Sequence, residues 1–342
     1  MIRFDCDYVE GAHEAILRRM LETNMEQTAG YGEDEICERA RQKIRAACDA
    51  PGAAVHFLVG GTQANLTVIA SILRPHQGVL CAATGHINVH ETGAVEALGH
   101  KVLALPHNDG KITAEQVRQA VEAHYADAAF EHIAQPGMVY ISHPTEFGTL
   151  YSLAELTALS EVCRACRLPL FLDGARLGYG LAAGDVTLPD LARLCDVFYI
   201  GGTKCGALLG EAVVICDPAL QKDFRYHIKQ RGGMLAKGRL LGIQFDALFT
   251  DGLYQRITEK AVAQALRIRR ALTARGVQMY IDSPTNQQFP VLTAAQRARL
   301  ERDFALTHWQ RLPDGRDVMR VCTSWATKDE NVEKLLQAIQ EL

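Results

Sequence analysis

Nothing in this chain is long and apolar enough to suggest a membrane span: no run approaches the roughly 20 residues that a bilayer requires. The opening residues, Met1–Asp7, also lack the apolar core of a signal peptide. Neither half carries a run of lysine or arginine, and the net charge is −4, so neither a nucleic acid nor a membrane surface is an expected partner. The ten cysteines are scattered, without the spacings of a disulfide framework, and are expected as reduced thiols in a cytoplasmic protein. One C-x-x-C exists, Cys163 to Cys166, but no second pair completes a metal site, and no metal is expected. Those cysteines continue the stripe Leu153, Leu156, Leu159, Val162, which reads as the buried face of a helix.

What is present is a regular alternation. Short β-rich runs at 55–59, 79–81, 101–105, 138–142, 169–173, 196–201 and 211–216 are separated by helical apolar patterns such as 113–125 and 152–166. That order predicts an α/β fold with a mostly parallel seven-stranded sheet covered on both faces. Thr62 is expected to cap a helix over 63–73, and Ser152 to open another through a capping box with Glu155. Past about residue 240 the pattern changes to helices at 240–253 and 258–275, short strands near 277–281, 287–292 and 318–323, and a last helix from a Thr327–Glu330 capping box. We read an N-terminal segment plus large domain over 1–240 and a small α+β domain over 241–342.

Ligands in open α/β sheets sit at the carboxyl ends of the strands. The residues just past those ends are Gly60-Gly61-Thr62, His86, His143, Asp173 with Arg176, and Thr203-Lys204. Gly60 and Gly61 follow a strand and open a helix, where free N–H groups and the helix dipole favour an anion such as a phosphate. The loop matches neither the dinucleotide nor the nucleotide-triphosphate fingerprint. Asp173 ends an apolar strand, and a carboxylate at that depth needs a cation or several donors. Lys204 follows another apolar strand between glycine and threonine, where burial and a nearby cation free an amine to attack an aldehyde; otherwise it holds an anion in a pocket.

Taken together, Asp7, Tyr31-Gly32-Glu33-Asp34, Gly61-Thr62-Gln63-Ala64-Asn65, His86, Asp173-Gly174-Ala175-Arg176, Lys204 and Arg320 resemble the L-threonine aldolase and β-eliminating lyase family, over nearly the whole chain. The resemblance implies the fold-type-I architecture of pyridoxal phosphate (PLP) enzymes. It also implies cleavage of a β-hydroxy-α-amino acid, such as threonine or allo-threonine, to glycine and an aldehyde. A β-elimination or an amino transfer on another small amino acid is the alternative. Residue by residue, Gly60, Gly61 and Thr62 would hold the cofactor phosphate, Thr203 would also contact the cofactor, and His86 would stack on the ring. Asp173 would pair with the ring nitrogen, Arg176 would lie on the phenolic side, and Lys204 would form the Schiff base. Cys6, Asp7, Tyr31, His143, Arg176 and Arg320 would surround the substrate, Arg320 gripping its carboxylate. His86 is the first candidate base for the β-hydroxyl, alone or through a water shared with a nearby acid; His143 and Glu146 are the others.

Several positions depart from the family pattern. Cys6 replaces a serine, and His143-Pro144-Thr145-Glu146 stands where Glu-Asn-Thr-His is common, with the end residues exchanged. Leu235 replaces an arginine that reaches the phosphate, a charge that Lys237 would restore. The resemblance further implies a homodimer or homotetramer with shared active sites, the segment around Tyr31 and the loop Gly232–Lys237 crossing between subunits.

Overall fold

The computed structural model describes residues 1–342. In chain order the strands are β1 (Ile2–Arg3), β2 (Ala54–Leu58), β3 (Gln77–Ala82), β4 (Lys101–Leu105), β5 (Gln135–Ser142), β6 (Leu170–Asp173), β7 (Val197–Gly201), β8 (Glu211–Ile215), β9 (Gln287–Gln288), β10 (Val291–Leu292), β11 (Phe304–Ala305), β12 (Thr307–Arg311) and β13 (Asp317–Cys322). Strands β2 to β8 form one seven-stranded sheet in the order β2-β8-β7-β6-β5-β3-β4. Every neighbour pair from β7 to β4 is parallel, and β8 alone runs against its neighbours. This is the expected seven-stranded, mostly parallel sheet, each strand overlapping its sequence-based range.

Strand parity sorts the core into two layers. Val139, Ile141, Leu170, Leu172, Phe198 and Ile200 point to one face, under the helices Glu35–Ala47, Leu153–Ala165 and Arg239–Leu248. Met138, Tyr140, Phe171, Val197 and Tyr199 point to the other, under Ala64, Val68 and Ile69 of the helix Gly61–Ile72. Successive side chains of a strand must alternate, so the period-2 pattern fixes which residues can meet the ligand layer. A third cluster joins Phe4 to Ile268, Leu272, Phe304, Met319 and Leu335. It rests on the small antiparallel sheet of β10, β13 and β12, with β1 lying parallel to β11. The N-terminal segment thus packs its first residues against the C-terminal layer, although it is remote from it in sequence.

Two local expectations differ from the structure. Thr62 does not cap its helix: the cap position is Gly60, in extended backbone without a side-chain acceptor, and Thr62 lies inside the first turn. Thr327 does not cap the last helix either; its hydroxyl receives the Ser324 N–H at 2.8 Å, and the helix begins at Asp329. A hydroxyl can serve only the turn its backbone angles present to it, which spacing alone does not specify. The Ser152–Glu155 capping box forms as expected. The strand expected near 277–281 is reduced to a single bridge, Met279 to Pro290. All ten cysteines are free thiols, and no helix is long and apolar enough to cross a membrane.

Candidate active site

The cluster of titratable groups lies at the carboxyl edge of β5, β6 and β7, on the layer that faces the helix Gly61–Ile72. Asp173 ends β6 and is buried. Its carboxylate accepts from Tyr140 Oη at 2.6 Å, Asn65 Nδ2 at 3.0 Å, the Ala175 N–H at 3.0 Å, and the Tyr199 hydroxyl. Burial alone would push this carboxyl up, but the nearby His86 charge and the two tyrosine hydroxyls hold it below its ordinary value. An anion is therefore maintained in a dry site, fully donated to by neutral groups and without a cation in direct contact. The strand turn permits this only because glycine stands at 174, where a Cβ would fall inside the Tyr199 carbonyl.

Lys204 follows β7, its carbonyl receiving the Tyr179 hydroxyl at 2.6 Å. Burial first, and then the Arg176 charge, lowers the pKa of its amine. Arg176 does not pair with Asp173. Instead its Nε and Nη2 grip Asp7 at 2.7 and 3.0 Å, a bidentate bridge across 169 residues, and Asn286 Nδ2 adds a third donor at 3.0 Å. Arg176 and Lys204 together outweigh the burial of Asp7 and hold it at about 2. Arg320 on β13 bonds the Asp5 carbonyl at 2.9 Å and Gln287 Oε1 at 3.3 Å, and lies over the Trp309 ring. It keeps a buried Nε with no acceptor. The Tyr8 ring spans the gap toward Lys204, whose Nζ lies 6.0 Å from its centroid. Cys6 is half-buried between Asp5 and Asp7, its thiol pushed up by burial.

His86 opens a short helix after β3, and its Nδ1 lies 2.8 Å from Glu91 Oε1. Burial would lower its pKa, but Glu91 and Asp173 raise it. Glu146 is half-buried nearby, Oε1 receiving the Ser142 hydroxyl at 2.9 Å and the buried Oε2 without a partner; desolvation pushes this carboxyl up.

His143 is not brought to the cluster. On β5 the residues Tyr140 and Ser142 face Asp173, so the next position has the opposite parity. The His143 ring instead meets Tyr151, whose N–H reaches its Nδ1 at 3.3 Å, and burial holds it neutral, at about 4. The exchange of ends in His143–Glu146 therefore leaves Glu146, not His143, beside His86.

The phosphate-side expectations divide. The helix Gly61–Ile72 begins uncapped, so its first N–H groups are free for an acceptor. Thr203 is already engaged: it donates to Glu211 Oε1 at 2.8 Å and receives the Gly210 N–H at 3.0 Å. Lys237 is exposed on the loop that abuts this helix start, where Gln63 Nε2 bonds the Arg231 carbonyl at 3.0 Å. Tyr31 is half-exposed on the same patch, its N–H on the Ala236 carbonyl at 3.2 Å and its ring 5.1 Å from Lys229 Nζ. Neither Tyr31 nor Lys237 reaches the Lys204 cluster of its own chain.

Sequence reasoning missed Tyr140, Tyr199, Glu91, Glu211 and Asn286. The two tyrosines carried a usable signal: a buried hydroxyl needs a partner, and both share a parity with Asp173 on adjacent strands.

An electron-withdrawing aldehyde cofactor with a phosphate and a basic ring nitrogen fits these residues. They offer an amine whose pKa is lowered by burial and the Arg176 charge, a buried carboxylate held by neutral donors, and an uncapped helix start on one sheet edge. In comparisons with known proteins, the beta-eliminating lyase family matches residues 4–308. A low specificity L-threonine aldolase of Pseudomonas aeruginosa is 29% identical, with 99% of this chain and 97% of that protein covered. The structure of a Leishmania major threonine aldolase superposes with a TM-score of 0.97 at 42% identity, covering 100% of this chain and 99% of that one. A Thermus thermophilus aspartate aminotransferase, 16% identical, superposes with a TM-score of 0.71 over 100% of this chain and 91% of its own, which establishes the shared fold type.

Proposed function

The chain belongs to the beta-eliminating lyase family, and from that premise we propose that it is a PLP-dependent aldehyde-lyase of the threonine aldolase type. It cleaves β-hydroxy-α-amino acids such as threonine or allo-threonine to glycine and an aldehyde. The single observation that carries the reading is the placement on one sheet edge of Lys204, just past β7, and of the buried Asp173 carboxylate that ends β6 and is held by neutral donors. PLP, when bound, supplies an aldehyde that condenses with amines and a ring that takes up the electron pair of a broken Cα bond.

The chain's own residues do the rest. Lys204 and Asp173 would hold the two ends of the cofactor's reactive axis, and the N–H groups of Gly61 and Thr62 its phosphate. Arg320 would bind the substrate carboxylate and so orient Cα. Arg176 is held in place by Asp7 rather than left free to swing toward substrate. The products fix the proton count: the β-hydroxyl loses a proton as its Cβ becomes a carbonyl, and Cα gains one to give glycine. His86 would hold the first of these protons. Tyr31 and Lys237, adjacent on an exposed patch, would complete the site of a second copy of the chain in a homodimer or tetramer.

The test is the visible spectrum of the purified protein with added PLP, followed by incubation with threonine, allo-threonine and serine. A visible band, aldehyde and glycine are expected. Pyruvate without aldehyde would replace the cleavage with an elimination. Lys204→Ala should abolish the band; a band that survives it would assign the cofactor to another lysine.

A further inference from the structure

Behind His86 lies a carboxylate with no assigned purpose. The Glu91 side chain is completely buried, and its Oε1 makes two bonds, to His86 Nδ1 and to Asn65 Nδ2, both at 2.8 Å. Asn65 in turn reaches Asp173 Oδ2 at 3.0 Å with the same nitrogen. An amide placed between two carboxylates must turn its NH2 group to both, since its oxygen would face negative charge on each side. The two amide hydrogens are thereby committed, one to Glu91 and one to Asp173.

Glu91 Oε1 can only accept, so the third group of the set, His86 Nδ1, must be the donor. In the neutral ring this leaves Nε2 without a proton. An imidazole with one nitrogen tied to a buried carboxylate and the other free is the arrangement a general base requires.

We propose that Glu91 is a positioning residue: it holds the His86 ring with Nδ1–H turned inward and Nε2 as the free proton acceptor, in register with Asp173 through Asn65. The inference rests on the lyase reading above and adds to it the residue that sets the base's tautomer. Two of the three anchors come from different elements, Asn65 from the helix that begins at Gly61 and Asp173 from β6. The ring's orientation is thus tied to the carboxylate that would face the cofactor nitrogen. Other charges meet His86 as well. Asp173 and Glu146 stand on the negative side and Lys204 on the positive, while the His90 ring, whose pKa burial lowers, lies 5.6 Å away.

The test uses the full chain with two variants, Glu91→Gln and Glu91→Ala, read in two ways. Nitrogen NMR of the His86 ring, measured with and without PLP at a pH high enough for the ring to be neutral, should show Nδ1 protonated and Nε2 bare in the parent protein. Glu91→Ala should lose that signature, with a loss of about tenfold or more in kcat/KM for threonine. Glu91→Gln keeps an acceptor oxygen but not the charge. It should keep the tautomer while moving the acid limb of the kcat/KM profile down by about one pH unit. An Nε2-protonated ring in the parent, or a tautomer and an acid limb unmoved in both variants, would overturn the proposal. Absence of aldehyde release from the parent overturns the lyase reading instead, and the ring spectrum alone then decides the part played by Glu91.

Discussion

Replacing Asp7 with asparagine removes one charge and almost no volume, at a point where two distant parts of the chain are locked together. Asp7 is fully buried, and its three donors come from Arg176 and Asn286. The folded protein holds this carboxyl at about 2 against an ordinary value of 3.8. Nearly two pH units at 1.36 kcal/mol each make the charge worth about 2.5 kcal/mol to folding. Because the folded-state pKa is depressed, that stability is fully present above the ordinary value and is lost as pH falls from about 4 to about 2. At neutral pH Asp7→Asn should therefore lower the melting temperature of the cofactor-free protein by about 3–4 °C, the shift that an unfolding entropy scaled to this chain length gives. Asp7→Ala should cost more, about 3–5 kcal/mol, since Arg176 then stays buried with neither charge nor acceptor opposite it. Thermal melts monitored by fluorescence at pH 7 measure both. Adding Arg176→Met to Asp7→Asn should recover part of the loss, because the stranded guanidinium is gone. A shift below about 1 °C in the asparagine variant, or strict additivity in the double variant, would refute the argument that this pair holds the two layers together.

Glu211 yields a prediction of opposite sign. Burial pushes its carboxyl up to about 8, so the folded state retains a proton that the unfolded chain releases near its ordinary value. Its contribution is present in acid and lost as pH rises through about 8. Glu211→Gln should thus be more stable than the parent at about pH 9 and lose that advantage at about pH 5, as melts at the two values would show. Arg320→Ala should raise KM for threonine roughly tenfold to a hundredfold, the worth of a charge-assisted bond of about 1.5–3 kcal/mol, while the visible band with PLP persists. A KM within about twofold of the parent would move the carboxylate grip elsewhere.

Some of the site was legible at once because it depends on local pattern. The strand-to-loop positions of Asp173 and Lys204 come from apolar runs with period 2 or buried throughout, and the glycines at 60 and 61 from the turn between strand and helix. The same logic, pushed one step further, would have separated His143 from the cluster, since it differs in parity from Tyr140 and Ser142 on one strand. Thr203 misled for a different reason. A threonine beside an anion site has the right chemistry, but its hydroxyl is spent on Glu211, which strand pairing sets across from Gly201, two residues earlier.

The sequence by itself determined the sheet, the edge on which chemistry collects, and the identity of the amine and carboxylate there. Those are properties of short windows: periodicity, turn residues, and the burial that an apolar strand imposes on the first residues past its end. Only the tertiary structure decided the partners. Asp7 meets Arg176 instead of leaving it to Asp173, Asn65 joins Glu91 to Asp173, and Tyr140 and Tyr199 converge from strands on either side of β6. Which donor reaches a buried carboxylate depends on strand order and on the packing of one helix across the sheet, and neither is encoded in the spacing of the residues along the chain.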